Sequence, residues 1–192
     1  MLSRSDLRKQ LRAKRNQLTL EQQKQASESI AQQVLALSDD KKVMALYLAN
    51  DGEISPQLAI EQLQQAGHKT LLPVMHSFRR GYLNFQLFNN SIKMVQNRFG
   101  INEPKLNATD TFALKDIDYI LMPLVGFDNQ GNRLGMGGGF YDRTLSKIQE
   151  LQKRPLLVGL AHECQEVEQL PVQQWDVPID LIITPTKKYI LE

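Results

Sequence analysis

The chain has 192 residues, 42% hydrophobic and 23% charged, the balance of ordinary globular material with enough apolar side chain for a core. Its 23 Lys plus Arg against 21 Asp plus Glu leave a net charge of only +2, which argues against a nucleic-acid or membrane-surface protein. One cysteine, Cys164, excludes an internal disulfide and a cysteine-rich metal knuckle, and no run approaches the roughly 20 apolar residues of a membrane span.

The opening MLSRSDLRKQ has no long apolar run behind it, so no secretory signal is expected and the reading is cytoplasmic. Residues 3–38 are polar, helix-prone and free of Gly and Pro. Leu7, Leu11 and Leu18 mark a narrow apolar stripe, and Thr19 followed by Glu21 and Gln22 signals a second helix start. Two helices are expected, broken near Gln17 to Thr19. VMALYLA (43–49) is a short apolar run, as in a strand buried on both faces. SPQLAIEQLQQAG follows, with Ser55 as N-cap, Pro56 at the first helical position and Gly67 as C-cap.

KTLLPVM then supplies another strand, completing a β-α-β unit and implying a parallel sheet. YLNFQLF (82–88) alternates like a half-exposed strand, and DYILMPLVGF (118–127) reads as a buried strand before the turn DNQGN. YDRTLSKIQELQ is the next helix, and KRPLLVGLA and PIDLIITP are further strand candidates. No repeat or low-complexity linker appears. The expectation is a single α/β domain over 1–192: three layers, α/β/α, around a mostly parallel sheet. Residues 1–40 form an N-terminal helical extension packed on it.

RLGMGGGFYDR (133–143) follows a strand and precedes a helix, where open parallel sheets bind ligands. Gly135, Gly137, Gly138 and Gly139 can adopt positive φ and gather backbone N–H groups around an anion, with a helix start near Gly139 or Phe140 adding its positive end. No Lys-Ser/Thr follows the last Gly, so this is not a P-loop. Phe140 stands where the dinucleotide fingerprint needs its third glycine. Asp142 beside bound phosphates is a natural Mg²⁺ ligand, and Arg133 or Arg143 can pair with phosphate oxygens.

The run MPLVGFDNQGNRLGMGGGFYDR resembles the signature of the 5-formyltetrahydrofolate cyclo-ligase (methenyltetrahydrofolate synthetase) family. The likeness extends to the basic first helix, to DGE after the first strand and to the late WDVPIDLIIT. It implies an ATP-dependent enzyme, acting as a monomer, that phosphorylates the formyl oxygen of 5-formyltetrahydrofolate. N10 then closes the 5,10-methenyl ring with release of ADP and phosphate. Such chemistry needs positioning and charge neutralisation more than a covalent nucleophile.

The resemblance assigns ATP contacts to Arg8, Lys9, Gln10, Leu11 and Arg12, and to Arg133, Leu134, Gly135, Met136, Gly137, Gly138, Gly139, Phe140 and Tyr141. Arg133 and Tyr141 take catalytic roles. It assigns folate contacts to Leu48, Glu53, Met136, Gly137, Gly138, Gly139 and Phe140, and Mg²⁺ to Asp142 and Asp176, with Asp180 as the alternative second acid. A carboxylate at Glu53 suits the 2-amino and ring N–H donors of a pterin. Phe99 in RFGINEP is either a stacking aromatic or a core residue. Some relatives carry Lys at the place of Gly138, the place of Met136 is often held by Arg, and Tyr is commoner than Phe at position 140.

His162 and Cys164 are two apart, but no orienting third group accompanies them, so a Cys-His nucleophile is not expected. His68 and His76 read as exposed helix-end and loop residues, and Trp175 as packing near the site. A sugar-phosphate isomerase or CoA-transferase-like enzyme would also use such a loop, yet no fitting Glu or Asp-His pair stands out. An RNA-binding reading of the first helix lacks basic patches with interleaved aromatics.

Overall fold

The computed structural model describes residues 2–191. The Gly- and Pro-free start forms helices α1 (Arg4–Arg15) and α2 (Leu20–Leu35). Ser3 caps α1 by accepting from the Asp6 N–H, and Thr19 with Gln22 forms a capping box on α2. The break therefore falls where the Thr19 signal places it. The buried stripe of α1 is Leu7, Leu11 and Arg15, at four-residue spacing, while Leu18 lies beyond the helix and is half-buried.

Strand β1 is Val43–Ala45, shorter than the apolar run suggests. Beyond it only the Leu46 N–H still pairs, with the Leu71 carbonyl at 2.9 Å, and the chain then lifts into a turn at Asp51 and Gly52. Helix α3 (Gln57–Gln65) crosses to β2 (Lys69–Met75), which runs parallel to β1. Pro56, not Ser55, is the N-cap, and the Ser55 hydroxyl accepts only a long 3.4 Å bond from the Gln57 N–H. Gly67 ends α3 at φ +84°. Its N–H reaches the Gln64 carbonyl at 3.0 Å and the His68 N–H reaches Leu63 at 2.9 Å, a Schellman closure. That closure buries His68, contrary to the exposed position expected, and its Nδ1 accepts from the Lys42 N–H.

Strand β3 (Leu83–Leu87) returns antiparallel to β2. Three short strands follow that the apolar pattern does not reveal: the hairpin β4 (Met94–Gln96) and β5 (Asn102–Pro104), then the edge strand β6 (Thr111–Phe112). The expected strand over 118–127 divides in two. Strand β7 (Tyr119–Pro123) stays in the sheet; the chain then turns and forms a separate hairpin, β8 (Gly126–Phe127) with β9 (Arg133–Leu134). Helix α4 (Phe140–Leu145) has only six residues and passes into a 3₁₀ turn at Ile148–Glu150, so the long helix expected here is broken. Strands β10 (Leu156–Leu160) and β11 (Leu181–Ile183) complete the parallel set, and an unforeseen β12 (Lys188–Ile190) closes the edge antiparallel.

The main sheet runs β12-β11-β10-β7-β1-β2-β3-β6, mixed but mostly parallel. Successive residues alternate between faces, as the strand period demands. Met44, Leu72, Leu121, Val158 and Ile183 pack under α2 and α3; Ala45, Leu71, Ile120, Leu157 and Ile182 pack under Phe127, Leu145 and Ile148. This is the three-layer α/β arrangement with N-terminal helices. Helix α1 lies across the hairpin, where Leu7 meets Leu134 and Leu170. Gly126 permits this approach, since an added Cβ would sit 2.5 Å from Leu11 Cδ1. Among the described residues no helix is long and apolar enough to cross a membrane.

Candidate active site

Strands β1 and β7 are neighbours, but the chain leaves them in opposite directions, β1 toward β2 and β7 toward β10. Loops diverging from adjacent strand ends leave a crevice between them. Here it is a cleft of about 840 Å³, with the glycine loop at one end and the chain after β1 at the other.

The glycine end carries a net positive charge of three arginines against two acids. Arg4, Arg8 and Arg133 line it against two acids, Asp142 and Asp176. Arg8 Nε donates to the Gly135 carbonyl at 2.8 Å. Arg133 is buried, and its Nη2 donates to Asp142 Oδ1 at 2.7 Å while its Nε has no partner among the described residues. Asp142 Oδ1 also accepts from the Val177 N–H at 3.3 Å, whereas no donor among the described residues reaches Oδ2. Asp176 is taken on both oxygens by Arg4 and accepts from the Gln173 N–H at 2.8 Å. Burial opposes its ionisation, but the Arg4 and Gln173 bonds outweigh this and hold its pKa below the ordinary value. Gly137 and Gly139 adopt φ +100° and +64°, the left-handed region that glycine tolerates.

The other end is apolar with a few polar groups. Glu53 accepts from the Asn50 N–H at 3.1 Å, and burial pushes its pKa up to about 7. Burial and nearness to Glu53 also raise the phenol pKa of both Tyr47 and Tyr141, so both remain hydroxyl donors at neutral pH. Leu48, Leu72, Met75, Leu83 and Ile101 form the walls. Phe99 is 56% exposed at the rim and meets Phe140 edge-on with centroids 5.8 Å apart, which removes the core alternative for it.

The fold brings together Arg8, Leu48, Glu53, Arg133, Gly135, Met136, Gly137, Gly138, Gly139, Phe140, Tyr141, Asp142 and Asp176 on one cleft. It places five others elsewhere. Lys9 and Gln10 are exposed on α1, and Leu11 packs over Gly126. Arg12 donates to Asp51 Oδ2 at 2.6 Å, and Leu134 lies in the Leu7–Leu170 cluster. Asp180 is held by both terminal nitrogens of Arg154 at 2.8 Å and lies off the cleft. Arg4 and Glu103 line the cleft without having been singled out. Arg4 was discoverable, one helical turn before Arg8. Glu103 carries no local signal, since a hairpin delivers it. His162 is buried, with burial lowering its pKa to about 4, and burial raises the Cys164 thiol, so neither is poised for nucleophilic chemistry.

Among the described residues no cluster of three His, Cys, Asp or Glu could enclose a metal. A Mg²⁺ ion carried by a nucleotide needs less, because phosphates and waters supply most of its oxygens. Asp142, with Oδ2 free, fits that role; Asp176 fits it only if Arg4 releases an oxygen.

The sequence model of the 5-formyltetrahydrofolate cyclo-ligase family matches residues 1–185, both ends of the cleft included. The chain belongs to the 5-formyltetrahydrofolate cyclo-ligase family. It is 43% identical to the 5-formyltetrahydrofolate cyclo-ligase of Escherichia coli K12 over 179 residues, covering 92% of this chain and 97% of that one. The Haemophilus influenzae cyclo-ligase is 45% identical over 183 residues, covering 94% and 97%. The fold agrees with the NMR structure of Aquifex aeolicus 5,10-methenyltetrahydrofolate synthetase at a TM-score of 0.84, 29% identity and coverage of 99% and 93%. The cyclo-ligase match thus rests on whole-chain similarity as well as on the glycine stretch.

Proposed function

We propose that the chain catalyses ATP-dependent ring closure of 5-formyltetrahydrofolate to 5,10-methenyltetrahydrofolate. One observation carries the reading: a single cleft joins a cationic glycine loop to an apolar chamber ending in the half-buried carboxyl of Glu53. A nucleotide phosphate and a flat heterocycle can meet there on one continuous surface.

The γ-phosphoryl group transfers to the formyl oxygen, leaving ADP and a carbon activated toward nucleophiles. N10 attacks that carbon and gives up its proton; the C–O bond breaks, phosphate departs and the methenyl bridge remains. Arg4, Arg8 and Arg133 bear on the transferring group and its developing charge. Mg²⁺, carried by ATP and held through Asp142, supplies further charge neutralisation when bound. Arg133 is kept in place by Asp142 at 2.7 Å. The Tyr141 hydroxyl, held protonated by burial, is a donor at the junction of the two ends. Glu53 accepts the pterin N–H donors, and the edge-to-face pair Phe99 and Phe140 offers an aromatic surface at the rim.

The test is direct. With 5-formyltetrahydrofolate, Mg²⁺ and ATP, the methenyl chromophore should accumulate and ADP should form in equal amount. Absence of ATP-dependent chromophore from folded protein would overturn the proposal.

A further inference from the structure

We infer that Arg143 is a positioning residue that sets the backbone amides of the glycine loop for a phosphate-bearing substrate. The inference rests on the nucleotide reading above and adds a residue to it. Arg143 follows the glycines on α4, and its guanidinium holds two carbonyls at once. Nη2 donates to the Gly138 carbonyl, and Nε donates to the Gly81 carbonyl at 3.0 Å, in the turn between β2 and β3. A loop rich in glycine is thereby tied to a turn some sixty residues away in sequence.

The direction of the first bond matters. In a trans peptide the carbonyl and the following N–H point opposite ways, and no peptide among the described residues is cis. Holding the Gly138 carbonyl therefore turns the Gly139 N–H away from Arg143. Arg143 borders a second cavity of about 750 Å³ behind the loop and does not line the main cleft, which Gly138 does. Gly139 itself borders both cavities, and turning its amide from the Arg143 side directs it toward the main cleft. Arg8, from the cleft side, fixes the other end of the loop through the Gly135 carbonyl at 2.8 Å. Between these two fixed points stands Gly137, and directly after the second stands Gly139, both in left-handed backbone, which unrestrained glycines leave readily. Fixing them before the ligand arrives removes an ordering cost from binding.

The same geometry explains Gly81. Gly81 already sits at φ +86°, which favours glycine, and a Cβ there would lie 2.4 Å from Arg143 Nε, so a side chain would also displace the guanidinium. Further along, the Leu83 N–H donates to Thr144 Oγ1 at 2.9 Å, a second tie between the turn and α4.

The experiment compares wild type, Arg143→Ala, Arg143→Lys and Gly81→Ala for ADP affinity and for the two KM values. Arg143→Ala should raise the ATP KM and the ADP Kd by about three- to tenfold, the loss expected when partly exposed hydrogen bonds that order the loop are removed, with folate KM within about twofold. Arg143→Lys, which can hold one carbonyl at a time, should fall between. Methylguanidinium in solution should restore part of the ADP affinity of Arg143→Ala and do nothing to wild type. Gly81→Ala should reproduce the ATP defect, and the double variant should be no worse than Arg143→Ala alone. Unchanged ADP affinity in Arg143→Ala would overturn the inference. Equal loss for both substrates without rescue would also overturn it, by reducing Arg143 to a fold-stabilising residue. If wild type itself fails to bind ADP, the nucleotide reading falls and the inference with it.

Discussion

Arg15 donates to the Asp51 carbonyl at 2.6 Å and to Asp51 Oδ2 at 3.0 Å from a side chain with no solvent exposure. It also reaches the Leu124 carbonyl at 3.2 Å, so one guanidinium joins α1 to the chain leaving β1 and the chain leaving β7. Asp51 sits at φ +52°, a conformation that disfavours a non-glycine residue by about 1 kcal/mol, and Arg12 holds it from the other side. Arg15→Met should remove this junction and leave the Asp51 carbonyl without its donor, while Arg12 keeps Asp51 Oδ2 and Gln165 keeps the Leu124 carbonyl, at a cost of about 1–3 kcal/mol. Urea denaturation measures that loss. Because the loop carrying Glu53 depends on the junction, the folate KM should rise more than the ATP KM.

Glu53 has a folded pKa of about 7 against an ordinary value of 4.5, because burial disfavours its charge. A raised folded pKa means that the native state binds the proton more tightly than the unfolded chain. Its stabilising contribution is fully present below the ordinary value and is lost as pH rises through about 7. Glu53→Gln should therefore gain stability relative to wild type between those limits, and parallel thermal melts across the window would show the gap opening. Folate affinity runs the other way if the carboxylate is the acceptor. Wild-type folate KM should rise as pH falls below about 7, and Glu53→Gln should lack that dependence.

Asp142 both holds Arg133 and presents a free oxygen to the cleft. Asp142→Asn keeps the volume and an acceptor for Arg133, so the fold should persist with the Mg²⁺ dependence of ADP affinity lost. Asp142→Ala should abolish metal-dependent turnover and additionally leave the buried Arg133 unpaired, a penalty of about 3–5 kcal/mol. Calorimetric titration of ADP with and without Mg²⁺, beside thermal melts, separates the two effects. Retained Mg²⁺ dependence in Asp142→Asn would remove Asp142 from the metal site.

Asp176 is committed to Arg4 on both oxygens. Asp176→Asn should weaken the Mg²⁺ dependence of ADP binding less than Asp142→Asn does. Arg4→Ala should lower ADP affinity by about tenfold or less, as expected for one partly exposed phosphate contact. A larger Mg²⁺ effect from Asp176 than from Asp142 would reverse this order of importance.

The local code of the chain was legible where a few neighbouring residues decide the outcome. Thr19 and Gln22 announced the start of α2, Gly67 the end of α3, and the apolar runs at 43–49 and 69–75 a parallel pair. The glycine run marked a stretch of backbone free to adopt positive φ, which Gly137 and Gly139 do at the cleft, and the residues around it carried the family resemblance. Long-range contacts decided the rest. No periodicity separates β7 from the hairpin strand β8, because the Leu124 and Val125 carbonyls between them are taken by Arg15 and Gln165, which are remote in the chain. Leu18 completes the α1 stripe on paper, but Arg15 takes that place, since the three carbonyl and carboxylate bonds that make its burial tolerable come from residues 51 and 124.

Among the five consecutive α1 residues implied in nucleotide contact, only Arg8 lines the cleft, because a helix turns its neighbours to other faces. Sequence alone determined which chemical groups the protein owns and which backbone can bend to meet an anion. Only the tertiary structure decided which of those groups share a cleft and which carbonyls hold the arginines in place, because hydrogen bonds and ion pairs depend on distance in space rather than along the chain.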